Sequence, residues 1–432
     1  MRNDTIVAVA TPAGVGGIAV VRLSGPDALT MALRHLSVGS LLPRRATYCR
    51  FGELDDVVAT YFPRGYTGEP TVELSCHGSL YVQQAVVEAL TAGGARLAEA
   101  GEYTMRAFRN GRLNLSQAEA VADLVDAVTP VQHRLAVSQL RGGYADELKQ
   151  LRQRLVELTA LLELELDFSQ EDVEFADRRE LRGLLGTLDS RLAALIASFA
   201  LGNAMKRGIP VAIAGAPNAG KSSLLNALLR DDRAIVSPIP GTTRDTIEET
   251  LVLDGILFRF VDTAGLRHAA DAVEAEGVRR SLRAVEQASI VLYVRDTTVP
   301  PSEPGLDLRG KKVLLVDNKC DLAGSAPASG ALAVSALTGQ GLEALRQALV
   351  AAVQTLPAGD RQVLLTNERH HDALVRVQQA LRFADEGLTG GLPADLVAVD
   401  LRDALYHLGT ITGEVTNDEV LSTIFSRFCV GK

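Results

Sequence analysis

Residues 215–223, GAPNAGKSS, have the types and spacing to hold a polyphosphate. Gly215 and Gly220 let the backbone wrap closely enough for its N–H groups to face phosphate oxygens. A helix starting here adds the positive end of its dipole. Lys221 is placed to reach the β- and γ-phosphates, and the Ser222 hydroxyl is a Mg²⁺ ligand in this pattern. The pattern has force only between a strand and a helix. Apolar residues 210–214 read as a buried parallel strand, and 224–229 as a helix. A glycine-bearing turn without a ligand is the plain alternative for these residues alone.

Four further segments point the same way. Asp262-Thr263-Ala264-Gly265 follows strand-like 257–261, so Asp262 can hold Mg²⁺ through water while the Gly265 N–H faces a γ-phosphate. Asn318-Lys319-Cys320-Asp321 follows apolar 313–316. The Asp321 carboxylate can accept both N–H donors on one edge of guanine, which adenine does not offer. Ser335-Ala336-Leu337 would support the guanine O6. Gly241-Thr242-Thr243-Arg244-Asp245 offers Thr243 as the second Mg²⁺ ligand. In this order the motifs describe a Ras-like P-loop domain for GTP or GDP, with Asn218, Ala219 and Ser223 completing the phosphate loop. Leu266 stands where a water-orienting glutamine is found in Ras-type GTPases. Asp271, Glu274 and Glu276 lie downstream, and Arg244 and Arg267 border the switch segments. Spacing alone does not choose among them.

The elements that must carry these residues belong to a chain of 432 residues, enough for about two to four domains at roughly 100–200 residues each. An apolar share of 47% with 22% charged residues describes a soluble globular protein. No apolar run long enough to span a bilayer and no secretory signal pattern are evident. Cys49, Cys76, Cys320 and Cys429 form no CxxC, so neither a disulfide framework nor a zinc site is indicated. A reducing, cytoplasmic setting follows. The net charge of −9 argues against a generally polyanion-binding surface but leaves a local RNA patch open.

Four segments organise the chain: 1–116, an α/β domain; 117–207, helical; 208–355, the nucleotide domain; and 356–432, helical again. In the first, 5–10 and 18–23 read as strands joined by a Gly/Pro turn, and 71–77 as another strand before a helix. Arg22 and Glu73 sit inside apolar strands, where an ionised group needs a protein partner or a ligand. Leucines at 148, 151, 155, 158, 161, 162 and 166, then at 181, 184, 185, 188, 192 and 195, form two amphipathic stripes. Ser116-Gln117-Ala118-Glu119 and Thr416-Asn417-Asp418-Glu419 read as capping boxes. Helical periodicity returns over 368–383, 396–408 and 417–428. The economical plan is multidomain α/β plus all-α, with one helical domain built from two flanks and the nucleotide domain inserted into it.

Over essentially its whole length the chain resembles the MnmE (TrmE) family of tRNA uridine-modifying GTPases. The resemblance is carried by Asp4-Thr5-Ile6-Val7-Ala8, Arg22-Leu23-Ser24-Gly25, Thr67-Gly68-Glu69, Gly101-Glu102-Tyr103-Thr104, Leu115-Ser116-Gln117-Ala118-Glu119 and the terminal Phe428-Cys429-Val430-Gly431-Lys432. It implies a folate-binding, homodimer-forming N-terminal domain, with Arg22, Glu73, Arg112 and Lys432 matching contacts to 5-formyl- or 5,10-methylene-tetrahydrofolate. Arg112 stands where relatives can carry lysine. It also implies a K⁺ site, with Asn218 as side-chain ligand and Ser237, Ile239 and Thr242 lining the loop. Pro238 and Pro240 stiffen that loop and depart from the pattern. Glu274 matches the residue that organises the attacking water. Cys429 matches a cysteine once attractive as a nucleophile, with a buried apolar thiol as the rival reading. The family acts with the FAD-dependent partner MnmG (GidA) on the wobble uridine of certain tRNAs, building an aminomethyl or carboxymethylaminomethyl group at C5. Two other classes compete: an RNA- or protein-binding GTPase switch, and a self-contained folate-dependent transferase.

Overall fold

The computed structural model describes residues 4–167, 178–230, 249–261, 282–299, 308–309, 311–322, 330–354, 364–426 and 428–431. Contacts divide the chain into two compact units. One comprises Met1–Val125, Gln139–Arg152 and Leu405–Lys432; the other comprises Asp126–Ser138 and Gln153–Ala404.

The first unit is built on a six-stranded sheet. Its strands are β1 (Ile6–Val9), β2 (Ile18–Ser24), β3 (Ala46–Phe51), β4 (Asp55–Phe62), β5 (Thr71–His77) and β6 (Arg96–Leu97), in the order β3-β4-β5-β2-β1-β6. Neighbours are antiparallel except β1 and β6. Period-two alternation buries Ala19, Val21 and Leu23 of β2 with Leu74 and Cys76 of β5 in one apolar cluster. Helices α1 (Ala28–Leu33) and α2 (Leu80–Ala92) contribute Ala28, Ala32, Val86 and Leu90 to that cluster. Ile6, Ala8, Ala98 and Tyr103 form a second cluster, with Tyr103 supplied by α3 (Glu102–Arg109).

Helix α4 (Leu115–Asp126) corrects one expectation. Its capping box starts at Asn114, not Ser116. The Gln117 N–H donates to Asn114 Oδ1 (2.8 Å), and the Asn114 N–H donates back to Gln117 Oε1 (3.0 Å). The Ser116 hydroxyl instead donates to Asn114 Oδ1.

Long helices follow: α5 (Pro130–Leu140), α6 (Gly143–Asp167), α7 (Arg178–Ala197) and α8 (Phe199–Arg207). The leucine stripes hold, with Leu148, Leu151, Leu155, Leu158 and Leu162 buried, and likewise Leu181, Leu185, Leu188, Leu192 and Leu195. Leu161 and Leu184 lie at the stripe edges and are exposed. Among the described residues, Leu181–Arg207 is long and apolar enough to cross a membrane by length and composition. Its buried leucines, Leu181, Leu185, Leu188, Leu192, Leu195 and Leu201, give it the one-sided burial of an amphipathic helix.

The second unit carries the other sheet: β7 (Ile209–Gly215), β8 (Glu249–Leu253), β9 (Ile256–Phe260), β10 (Ile290–Asp296), β11 (Lys312–Asn318) and β12 (Leu332–Val334), ordered β12-β11-β10-β7-β9-β8. All pairs are parallel except the edge pair β8–β9. The near-continuous burial of β7 and β10 is that of strands covered on both faces. Helices α9 (Lys221–Leu229) and α10 (Leu342–Gln354) add Leu224, Leu228, Leu345 and Leu349 to its core. From β7 the chain goes first to the edge strand β8 and back through β9 on one side, then to β10, β11 and β12 on the other. The end of β7 is therefore a topological switch point, where ligands bind in open α/β sheets.

The remaining helices are α11 (Glu368–Thr389), α12 (Ala394–Thr412) and α13 (Asp418–Phe425). The first two extend beyond the periodic segments 368–383 and 396–408. The third is shorter than 417–428, and its cap is Asn417, whose side chain accepts the Val420 N–H (2.8 Å). Asn outranks Thr at this position, and with Val420 three residues on, whose side chain has no acceptor, the expected box becomes a simple Asn cap one residue later. Leu421, Ile424 and Phe425 of α13 pack with Leu115 and Ala118 of α4.

Candidate functional site

The phosphate loop is a backbone device. Asn218 (φ 61°) and Gly220 (φ 88°) are both left-handed, which turns successive peptide groups toward the concave side of the loop. A Cβ on Gly220 would collide with Asn318 Nδ2, and one on Gly215 with Val294 O, so only glycine permits these approaches. Helix α9 begins immediately afterward. Its first intrahelical bond runs from the Leu224 N–H to Gly220 O (2.8 Å), so the N–H groups of its first turn face the loop. Lys221 Nζ donates to Gly215 O (3.0 Å) and Ala216 O (2.8 Å), which holds the ammonium over the loop. Burial lowers its pKa. A cationic side chain, oriented N–H groups and a helix N-terminus suit a polyphosphate. Ser222 is half-buried, while Asn218 and Ser223 are exposed.

The loops named for the base lie at the ends of neighbouring strands. Asn318, 1% exposed, closes β11. Its Nδ2 donates to Ala219 O of the phosphate loop (2.9 Å), and its Oδ1 accepts the Ala336 N–H (3.1 Å). One amide thus joins the phosphate loop to the 335–337 loop. Ser335 is fully buried, with Oγ accepting the Thr338 N–H (3.1 Å), whereas Leu337 and Asp321 are exposed. Lys319 has φ 64°, and its Nζ pairs with Asp296 Oδ2 at 2.6 Å. Asp296 is pulled down to about 2, first by Lys319 and then by the Thr298 hydroxyl. The structure therefore brings Asn218, Ala219, Gly220, Lys221 and Ser222 together with Asn318, Lys319, Ser335 and Ala336. Ser237, Pro238, Ile239, Pro240, Gly241, Thr242, Thr243, Arg244, Asp262, Thr263, Ala264, Gly265 and Glu274 lie outside the described residues.

In the first unit, Arg22 and Glu73 are cross-strand partners on β2 and β5, and Arg22 Nε donates to Glu73 Oε1 (2.8 Å). Arg22 also donates through Nη1 to Gly431 O (3.4 Å), and its guanidinium stands 5.7 Å from the centre of the Tyr103 ring. The Tyr103 hydroxyl donates to Arg22 O (2.6 Å). The two charges that sequence left without a partner thus have each other. Arg112 is exposed and lies against Gly68, and Lys432 is outside the described residues. Cys429 is exposed, which overturns the reading of a buried core thiol.

A polar cluster escaped the sequence reading. Arg106 Nη2 pairs with Asp4 (2.6 Å) and Glu102 (3.0 Å), and its Nη1 pairs with Glu69 (3.2 Å). Arg96 pairs with Asp4 (2.6 Å) and Glu102 (2.5 Å). Burial pushes the Glu102 carboxyl up, but Arg96, the Glu99 N–H and Arg106 bring it below its ordinary value. The one sequence signal was Glu102 four residues before Arg106 on α3.

Comparison with known proteins covers residues of both units. Residues 115–429 match the family model for the MnmE helical domain, and residues 5–112 match that for the GTP-binding protein TrmE N-terminus. The tRNA modification GTPase MnmE of Parabacteroides distasonis is 46% identical over 99% of this chain and all of its own length. That of Christiangramia forsetii is 43% identical over 100% of this chain and 99% of its own. Among solved structures, the G domain of the T. maritima FeoB iron transporter aligns with 34% of this chain and 99% of its own at 28% identity and a TM-score of 0.26, and it carries none of the assignment. With two family models covering nearly the whole chain and full-length relatives well above 40% identity, the chain belongs to the family of the tRNA modification GTPase MnmE.

Proposed function

We propose that this protein is a GTP hydrolase of tRNA modification. The observation that carries the nucleotide part is the buried Asn318 amide, bonded at once to the phosphate loop and to the 335–337 loop. It holds a polyphosphate site and a base site in one frame. Asn218, Ala219, Gly220, Lys221, Ser222 and Ser223 would bind the phosphates, with Thr263, Ala264 and Gly265 near the γ-phosphate. Lys319, Asp321, Ser335, Ala336 and Leu337 would bind the guanine. Ser222 and Thr243 would hold Mg²⁺, with Asp262 acting through water. Asn218, Ser237, Ile239 and Thr242 would hold K⁺, with Pro238, Pro240 and Gly241 shaping the loop. Bound there, the two cations supply positive charge against the phosphate oxygens. Glu274 would orient the attacking water, and Arg244 borders the same switch.

In the first unit the Arg22–Glu73 pair offers both charge signs side by side, a donor set that fits an ionised, hydrogen-bonding ligand. Arg22, Glu73, Arg112 and Lys432 would hold a tetrahydrofolate, which supplies a one-carbon unit. The full reading is a cytoplasmic homodimer working with an FAD-dependent MnmG-type partner on the wobble uridine of certain tRNAs. Nucleotide turnover would open and close the paired nucleotide domains, following the plan 1–116, 117–207, 208–355 and 356–432. Cys429 is accessible to a tRNA base on this reading.

The test is GTP hydrolysis by the purified protein with Mg²⁺ in KCl and NaCl at matched ionic strength. A large K⁺-specific stimulation supports the cation site, and equal rates remove it. Glu274→Ala is expected to suppress turnover with nucleotide affinity unchanged. Uridine modification by this chain without a flavoprotein would replace the partner reading with that of a self-contained transferase.

A further inference from the structure

We propose that Asp296 is a positioning residue for guanine-nucleotide binding, acting by holding Lys319 and the turn that follows it. The inference rests on the guanine-site reading of residues 318–321.

The geometry is a clamp between two strand ends. Strand β10 ends at Asp296 and β11 at Asn318, and these two are register partners. One rung earlier, Arg295 and Asp317 are partners and form an ion pair, Nε to Oδ1 at 2.8 Å. Beyond the last rung β11 turns through left-handed Lys319, a conformation that a non-glycine residue holds only when its surroundings fix it. Residues 296–298 provide that fixing. Thr297 reaches the turn twice: its N–H donates to Asn318 O (3.2 Å), and its hydroxyl lies 3.0 Å from Asn318 O and 3.1 Å from Lys319 O. Asp296 Oδ2 takes Lys319 Nζ at 2.6 Å. Asp296 Oδ1 is held in turn by the Thr298 N–H (2.9 Å) and hydroxyl (2.6 Å).

This differs from an ordinary surface ion pair, which contributes little because two long side chains must be ordered in water. Here the acid is short, 15% exposed and already fixed by Thr298, and the lysine side chain is 32% exposed. Released, the four-carbon stem of Lys319 samples many rotamers, and the nucleotide must order it on binding. Asp296 thus prepares the base side of the site through Lys319, while Asp321 selects the base.

The experiment measures affinities of fluorescent GDP and inosine diphosphate for the full-length protein and for Asp296→Asn, Asp296→Glu, Lys319→Met, Asp296→Asn/Lys319→Met and Asp321→Asn. Asp296→Asn is expected to weaken both nucleotides about tenfold and equally, because the lysine does not read the 2-amino group that distinguishes them. Asp296→Glu should recover part of the loss. In the Lys319→Met background Asp296→Asn should cost nothing further. Affinity within twofold of wild type for Asp296→Asn overturns the proposal. So does an undiminished loss in the Lys319→Met background, which would mark a merely structural role. Asp321→Asn reports on the underlying reading separately: if the preference for GDP over inosine diphosphate survives it, the guanine assignment fails whatever Asp296 does.

Discussion

Replacing Asn318 with alanine removes a side chain that is 1% exposed and satisfies two backbone groups, Ala219 O and the Ala336 N–H. Leaving a buried group unpaired costs about 1–3 kcal/mol. Ala219 is fully buried and Ala336 half-buried, so the carbonyl takes most of the penalty. The sum is about 2 kcal/mol or more for opening the region around the ends of β7 and β11. Where amide exchange follows the opening equilibrium, that is about a thirtyfold faster exchange. The assay is hydrogen exchange by mass spectrometry on the nucleotide-free protein, read in peptides covering 209–229 and 312–318. Asn318→Asp sharpens the test. It keeps an acceptor for the Ala336 N–H but sets a carboxylate against the Ala219 carbonyl, so it should protect no better than alanine. Exchange within threefold of wild type in Asn318→Ala would show that the bridge does not join the two loops energetically.

Three further outcomes are expected. Arg106→Ala takes the ion-pair partner from Glu69 and leaves Asp4 and Glu102 to Arg96 alone, and it should destabilise the first unit by about 2–3 kcal/mol in urea unfolding. Asp4 and Glu102 lie below their ordinary values, so their contribution is present above the usual carboxylate range and lost as pH falls through the depressed values. The Arg106→Ala deficit should therefore shrink below about pH 4; a deficit independent of pH contradicts the pairing. Asp55, by hydrogen bond and charge, raises exposed His77, while the Asp55 carboxyl, pushed up by burial, is brought net below its usual value by the His77 N–H and ring. The histidine's share of the pair fades as pH rises through its raised value, and the aspartate's as pH falls through its lowered one. The pair is fully formed between about pH 4 and 6.5. An NMR titration should show His77 above its ordinary value and Asp55→Asn returning it there; no change refutes the pair. Finally, a thiol reagent should label exposed Cys429 in the native protein, while Cys49 and Cys76, buried and with raised thiol values, react only on unfolding. Equal labelling rates would contradict that burial.

Where the sequence was read correctly, the signal was local. The 215–223 turn between β7 and α9 is a run of residues whose backbone freedom is set by type, and the leucine stripes repeat at the helical period. Where it was read one or two residues out, two local signals competed. Asn114 with Gln117 and Ser116 with Glu119 both satisfy the box spacing. Local spacing alone does not decide between them; the Arg112 N–H bond to Ala107 O (2.8 Å) places the end of α3 just ahead of Asn114.

By itself the sequence determined a glycine-bearing loop between a strand and a helix, the two amphipathic stripes, and the order of the motifs along the chain. Tertiary structure decided the partners. Asp4, Glu69, Arg96, Glu102 and Arg106 come from four separated segments and share no spacing beyond one helical turn. Arg22 found Glu73 only through the β2–β5 register, and Lys319 found Asp296 only because β10 and β11 end side by side. The physical reason is the range of the interactions. Backbone propensity and side-chain period act over a few residues, whereas the partner of a buried charge depends on which distant segments the sheet places within hydrogen-bond reach.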